Sequence, residues 1–264
     1  MHRTRLGLSA PPWSRRLLLA LGVFLSLSTI YCGSGEDEDL LIFAAASLVN
    51  VMADIEREFE PSSEGRLSVS FGGSQTLAQQ IRRGAPADIF FSAGPFQTSE
   101  LAAEGLVEGE EVEILYNRLV LLVRPGVELK SIQELADESI ARVGIADPVL
   151  APAGRYAQES LTTLGLWESI QDKLITGVDV RATMAYVESG NVDVSIVYKT
   201  DAAIANDAIV LDLVPLDSYS RVVYPAVLVN RPDRSALAER FMDFLTGQAA
   251  ADLFRRYGFE PATQ

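Results

Sequence analysis

Short unbroken apolar runs alternate with stretches of helical period along most of the chain. Residues 41–46, Leu-Ile-Phe-Ala-Ala-Ala, have the length and character of a buried strand. Behind them Leu48, Val51, Met52, Ile55 and Phe59 recur at the spacing of one helix face, with Asp54, Glu56, Arg57 and Glu58 on the others. Ser47, at the junction, reads as the helix N-cap. The pattern then repeats. Residues 66–71 alternate as a half-buried strand, Gly72-Gly73-Ser74-Gln75 breaks it, and Leu77, Ala78 and Ile81 mark a helix that Gly84 closes. Residues 88–93 predict a third strand, followed by Gly94-Pro95 and a helix through Leu101. Strand, helix, strand, helix, strand is the order of a parallel sheet covered on both faces.

In the second half, Leu115 to Val123 predicts one long strand, closed by Pro125-Gly126, that carries the chain into a second lobe. Ser131 and Glu134 have capping-box spacing. Residues 143–146 predict a strand running into Asp147-Pro148-Val149-Leu150-Ala151-Pro152-Ala153-Gly154. There Pro152 suits a helix start, so Ala153 and Gly154 should offer bare amides, and the helix runs past Tyr156 to Leu164. Asp179 opens another helix that ends near Gly190. Residues 192–198 alternate as a strand ending on Tyr198, residues 219–230 return, and Leu237, Phe241, Phe244 and Leu245 form the buried face of a C-terminal helix.

This layout repeats one chemical theme. Strands end on small residues, where a guest can approach backbone N–H groups at helix starts, and such amides with the helix dipole receive anions. Ser47 and Ser74 add hydroxyls at two of these junctions, and Tyr198 adds a phenol at a strand end, although capping and packing are the commoner uses of such residues. Asp88 has no second carboxylate at catalytic spacing and is assigned a structural hydrogen-bonding role.

Composition removes most rival chemistries. The chain has 264 residues, 48% hydrophobic and 8% aromatic, enough for one large or two modest domains. Its formal charge of −14 is carried by the body, because Arg3, Arg5, Arg15 and Arg16 lie in an N-terminal stretch without Asp or Glu; such a surface repels nucleic acid and anionic membranes. Cys32 is the sole cysteine and His2 the sole histidine, which excludes an intrachain disulfide, a Ser-His-Asp triad and a histidine-ligated zinc in the body. Neither Ser-x-x-Lys nor Gly-x-Ser-x-Gly occurs. No cofactor is expected, and no metal bound directly by side chains.

Residues 1–32 join a basic start to an apolar run, the form of an export signal too short to span a membrane comfortably. Cys32 stands where a bacterial lipoprotein carries its lipid, although Tyr31 departs from the small residue usual before the cleavage site. Ser14-Arg15-Arg16 is a weak twin-arginine signature. Residues 33–39 are polar and acidic, a flexible tether.

Ala44-Ala45-Ala46-Ser47-Leu48, Gly73-Ser74, Ala87-Asp88-Ile89-Phe90, Pro152-Ala153-Gly154, Val180-Arg181 and Ile196-Val197-Tyr198 occur in one order over nearly the whole exported chain. Together they resemble the molybdate-binding periplasmic components of bacterial ABC importers. The resemblance implies an α/β, two-lobed periplasmic-binding-protein type II fold, each lobe a mostly parallel sheet flanked by helices, with the ligand in the interlobe cleft. It implies lobe 1 from residues 40–114 and 226–264 and lobe 2 from residues 115–225. It further implies that Ser47, Ser74 and Tyr198 hydroxyls and amides at Ala153 and Val180 hold molybdate or tungstate. A monomer that delivers to ABC permease subunits, periplasmic or at the outer membrane face, lipid-anchored through Cys32, completes the expectation.

A fully deprotonated dianion offers only acceptors, so its pocket should be all donors. A sulfate receptor would use the same kind of pocket, whereas phosphate keeps a proton near neutral pH and calls for a carboxylate, for which Asp179 is the candidate. From other classes, an exported hydrolase with Ser47 as nucleophile lacks every obvious base, and a transcription regulator's sensing half lacks a preceding DNA-binding helix pair.

Overall fold

The computed structural model describes residues 39–59 and 65–262, all within one compact unit, Glu36–Gln264. The expected export signal, Cys32 and residues 33–38 of the tether lie outside the described residues. Two mixed sheets organise the chain. The first has six strands: β1 (Leu40–Ala45), β2 (Leu67–Gly72), β3 (Ile89–Phe91), β4 (Val107–Asn117), β10 (Val222–Val229) and β11 (Glu260–Pro261), in the order β11-β4-β10-β3-β1-β2. The second has β5 (Leu119–Val123), β6 (Val143–Ala146), β7 (Leu174–Gly177), β8 (Val194–Tyr198) and β9 (Ile209–Leu211), in the order β7-β6-β8-β5-β9.

Each sheet is parallel on one side and antiparallel on the other. β1 pairs in parallel with β2 and β3, and β6 in parallel with β7 and β8. β10 and β5 enter antiparallel, which makes the sheets less parallel than expected. The physical reason is connectivity: these strands arrive from the other sheet and need no crossover helix to set a parallel direction. The helices α1 (Val49–Phe59), α2 (Ser74–Arg82), α3 (Pro95–Ala103), α4 (Pro152–Thr163), α5 (Trp167–Ile170), α6 (Val180–Glu188), α7 (Lys199–Ala202), α8 (Leu237–Leu245) and α9 (Gln248–Arg256) complete the layers. Phe59 of α1 meets Phe241 and Phe244 of α8 edge-on, with centroids 5.0 and 5.5 Å apart; burying rings of this kind contributes about 1.5–3 kcal/mol each.

Several expectations shift at element ends. The predicted strand from Leu115 to Val123 is two strands, because the chain leaves the first sheet after Asn117 and joins the second at Leu119. At the crossing, the Arg118 N–H is taken by the Asn117 side chain at 2.9 Å and its carbonyl by Lys199 N–H at 2.8 Å, so no ladder partner is needed. The return strand belongs to the first sheet from Val222 onward. β8 is buried along its whole length, since it lies between two neighbours inside the second sheet, so its apparent alternation came from Asp193 and Ser195, both buried. The Ser131–Glu134 box opens only a short 3-10 turn, Ile132–Ala136, and Glu134 reaches back to Lys130 N–H instead of Ser131. Helix α9 and strand β11 had no sequence expectation.

Gly84 sits just past α2 with φ +85°, the left-handed conformation that glycine adopts without strain. Buried Asp88 accepts from Leu41 N–H at 2.8 Å, Ser235 N–H at 3.1 Å and Arg231 at 3.2 Å, which ties β1 to the segment before α8 in the structural role expected of it. Among the described residues no helix is long and apolar enough to cross a membrane.

Candidate functional site

Six parallel-paired strands, three per sheet, deliver their carboxyl ends to one cavity. Ala45 ends β1 and Ala46 and Ser47 follow it, Gly73 and Ser74 follow β2, and Ala93 follows β3; Ala151 to Ala153 follow β6, Asp179 and Val180 follow β7, and Tyr198 ends β8. Open α/β sheets collect ligands at this edge because helix starts and their unpaired amides converge there. Traced by the centre of a water-sized sphere, the cavity measures about 10 Å³. All five residues expected to hold a ligand, Ser47, Ser74, Ala153, Val180 and Tyr198, line it.

The two serines do not cap helices. Ser47 lies inside a 3-10 turn, Ala46–Leu48, whose cap position is Ala45, and its Oγ is 2.9 Å from the Tyr224 hydroxyl. Ser74 is the first residue of α2, behind Gly73 as cap, and its Oγ accepts the Ala93 N–H at 3.1 Å. The N-cap reading of Ser47 is thereby corrected: the tight turn carries the hydroxyl past the cap position and into the cavity. Both side chains are buried.

Helix starts supply the remaining donors. Pro152 occupies the first turn of α4, as expected, but Gly154 N–H donates to the Ala151 carbonyl at 3.1 Å, leaving the Ala153 amide, not both, for a guest. Among the described residues none accepts the N–H of Ala153 or Val180. Asp179 caps α6, its carboxylate accepting Ala182 N–H at 2.9 Å. Tyr198 donates to the Ala93 carbonyl at 3.4 Å, a long bond that is easily redirected. Burial holds the phenols of Tyr198 and Tyr224 well above their ordinary pKa, so both stay neutral and neither serves as a base for Ser47.

Small residues allow the close approach. A Cβ on Gly73 would stand 2.6 Å from the Leu150 carbonyl oxygen and 3.0 Å from that of Val178, so this turn of the first sheet presses against two loops of the second. On Gly154 it would lie 2.0 Å from the Ala146 carbonyl oxygen, which keeps the start of α4 tight over β6.

Sequence reasoning missed the layer behind the cavity. Arg181 pairs with fully buried Asp201 and donates from Nη2 to the Ser47 carbonyl at 3.2 Å, joining α6 to the β1 loop. Burial raises the Asp201 carboxyl to about 6, against the opposing pull of Arg181. Asn117 donates to Tyr224 at 3.3 Å and to Thr200 at 2.9 Å. Isolated polar residues in four distant segments carry no local pattern, so only their meeting in space reveals them. Among the described residues no cluster of His, Cys, Asp and Glu is arranged to hold a metal ion; the donors at the cavity are uncharged O–H and N–H groups, and Asp179 is the acidic residue of its lining.

The family described as bacterial extracellular solute-binding protein matches residues 40–260. The molybdate-binding protein ModA of Escherichia coli (strain K12) is 32% identical over 250 residues, covering 92% of this chain and 97% of its own. ModA of Haemophilus influenzae is 34% identical over 225 residues, covering 83% of this chain and 88% of its own. Of solved structures, the Azotobacter vinelandii periplasmic molybdate-binding protein superposes with a TM-score of 0.75 at 24% identity, covering 83% of this chain and 98% of its own, a likeness of fold. With a shared architecture and these relatives, the chain belongs to the bacterial extracellular solute-binding protein family, together with the ModA molybdate-binding proteins.

Proposed function

We propose that the protein is the extracytoplasmic receptor of an ABC importer that captures molybdate, and tungstate with it, and hands the anion to the permease. The observation that carries this reading is the convergence of uncharged donors from both sheets on one small cavity. Ser47, Ser74 and Tyr198 hydroxyls and the Ala153 and Val180 amides would hold the four oxygens. A tetrahedral oxide without protons has only acceptors to offer, and each hydrogen bond to it is worth about 1.5–3 kcal/mol before desolvation is charged against the sum. Several must act together to reach micromolar affinity, about −8 kcal/mol. Neutral dipoles also let an acidic protein bind an anion, since distant carboxylates are screened beyond roughly 8–10 Å. The Asp179 carboxylate lines the cavity but already serves the start of α6, which favours a ligand that brings no proton.

The protein binds and releases; it does not turn over its ligand, and Ser47 has a neutral phenol for a neighbour where a nucleophile would need a base. It works as a monomer outside the cytoplasm, exported by residues 1–32 and held at the membrane by lipid on Cys32, which mass spectrometry of the mature protein tests. Residues 40–117 and 222–261, which hold the first sheet, would close on residues 119–211, which hold the second, about the two crossings, near Arg118 and before β10. Isothermal titration with molybdate, tungstate, sulfate and phosphate tests the ligand: heat with the first two is expected, and heat with phosphate alone overturns the reading.

A further inference from the structure

We infer that Asn117 and Tyr224 fix the direction of the Ser47 hydroxyl proton, so that Ser47 meets its ligand as a donor. The inference rests on the reading of the cavity as an oxyanion site and adds how that site tells a bare oxide from a protonated one.

Three side chains, Asn117, Tyr224 and Ser47, form a relay. Arg118 N–H donates to Asn117 Oδ1 at 2.9 Å, which identifies the other end of that amide as the NH2 group. This group donates to Thr200 Oγ1 at 2.9 Å and to the Tyr224 hydroxyl oxygen at 3.3 Å. Tyr224 is fully buried, and among the described residues its oxygen has one further hydrogen-bond partner, Ser47 Oγ, at 2.9 Å. With an N–H already directed at the phenolic oxygen, the phenol's own proton has Ser47 Oγ as its acceptor; pointing it elsewhere would leave a buried donor unpaired. Tyr224 therefore donates and Ser47 accepts. The serine proton is left with no acceptor but the cavity.

Ser74 obeys the same rule by another route, since its Oγ accepts the Ala93 N–H and its proton is likewise left over. Two hydroxyls, each able in principle to give or take a hydrogen bond, are thus both turned into donors by partners outside the cavity. A fully deprotonated tetrahedral oxyanion satisfies both. A hydrogen phosphate that turns its O–H toward either can use only the remaining lone pair of that hydroxyl, and it leaves the serine proton without an acceptor. Asn117 ends β4 beside the crossing at Arg118, and Tyr224 lies on the return strand β10, so both orienting groups belong to the first sheet, on the two strands next to the crossings.

Tyr224→Phe removes the donor to Ser47, while Asn117→Asp supplies a carboxylate that accepts the hydrogen bond of the Tyr224 O–H and reverses the relay with the ring still in place. Molybdate and hydrogen phosphate affinities are measured by titration at one pH for wild type and both variants. Molybdate binding is expected to weaken about tenfold in Asn117→Asp, where Ser47 turns its proton to Tyr224, and less in Tyr224→Phe, where Ser47 keeps its proton and loses only the partner that aims it, while phosphate binding weakens less than molybdate binding or strengthens. Unchanged molybdate affinity, or an equal loss for both anions, overturns the inference. A wild type that binds no oxyanion instead defeats the functional reading; the relay is then judged from a neutron structure of the ligand-free protein. Deuterium on the Tyr224 oxygen aimed at Ser47 is expected there, and deuterium on Ser47 aimed at Tyr224 overturns it.

Discussion

Ser74 Oγ and the Ala93 N–H, 3.1 Å apart, join the end of β2 to the end of β3 directly behind the cavity. The serine thus spends one of its two lone pairs on the scaffold and keeps its proton for a guest. Ser74→Ala and Ser47→Ala are each expected to weaken molybdate binding by about 1.5–3 kcal/mol, with a smaller change in ligand-free melting. Calorimetric titration of both variants checks this, and wild-type affinity in both would take the serines out of the site.

Tyr198→Phe should cost less than either serine change. Its hydroxyl already holds a long bond to the Ala93 carbonyl, so binding exchanges one bond for another, and the ring stays to pack against Tyr224 at 5.7 Å between centroids. A loss of about 0.5–1.5 kcal/mol in the same titration is expected; a loss exceeding that of Ser47→Ala would make the phenol the principal donor.

Gly73→Ala forces a methyl group against the carbonyls of Leu150 and Val178, which are backbone and cannot step aside alone. The two loops must separate, and affinity should fall by about 1–3 kcal/mol, the usual range for overpacking. Small-angle scattering with saturating ligand should show the variant more open than the wild type. Equal scattering profiles and equal affinity would mean that the close approach of these loops is not needed for binding.

Asp201 gives the fold a pH signature. Its carboxyl titrates at about 6 in the folded protein against 3.8 ordinarily, so between these values the folded state holds a proton that the unfolded state has lost. Stability from this group is present at acid pH and declines as pH rises through about 6, by at most about 3 kcal/mol. Urea midpoints from pH 4 to 7 should fall more steeply with pH in the wild type than in Asp201→Asn. Parallel profiles would mean that the buried carboxyl titrates normally.

Much of the layout was legible in residue order because it follows from local chemistry. The apolar run before Ser47 and the spacing from Leu48 to Phe59 can only be buried as a strand and a helix, and the same holds for residues 143–146 and the helix after Pro152. The break at Arg118 was not legible: residues 115–123 are apolar enough to continue, and the interruption depends on Asn117 and Lys199 satisfying one peptide unit from outside any ladder. Helix α9 was missed although its buried face, Ala250, Leu253 and Phe254, has helical spacing, because it follows α8 across only Thr246 and Gly247.

The sequence by itself determined that small residues and hydroxyls would stand at several strand ends, since strand length and helix period are properties of neighbouring residues. Only the tertiary structure decided that Ser47, Ser74, Ala153, Val180 and Tyr198 line one cavity, and that Tyr224, Asn117, Arg181 and Asp201 stand behind it. The reason is one of range: periodicity is set within a few residues, whereas the bond from Ser47 to Tyr224 spans 177 positions and exists only once β1 and β10 lie in the same sheet.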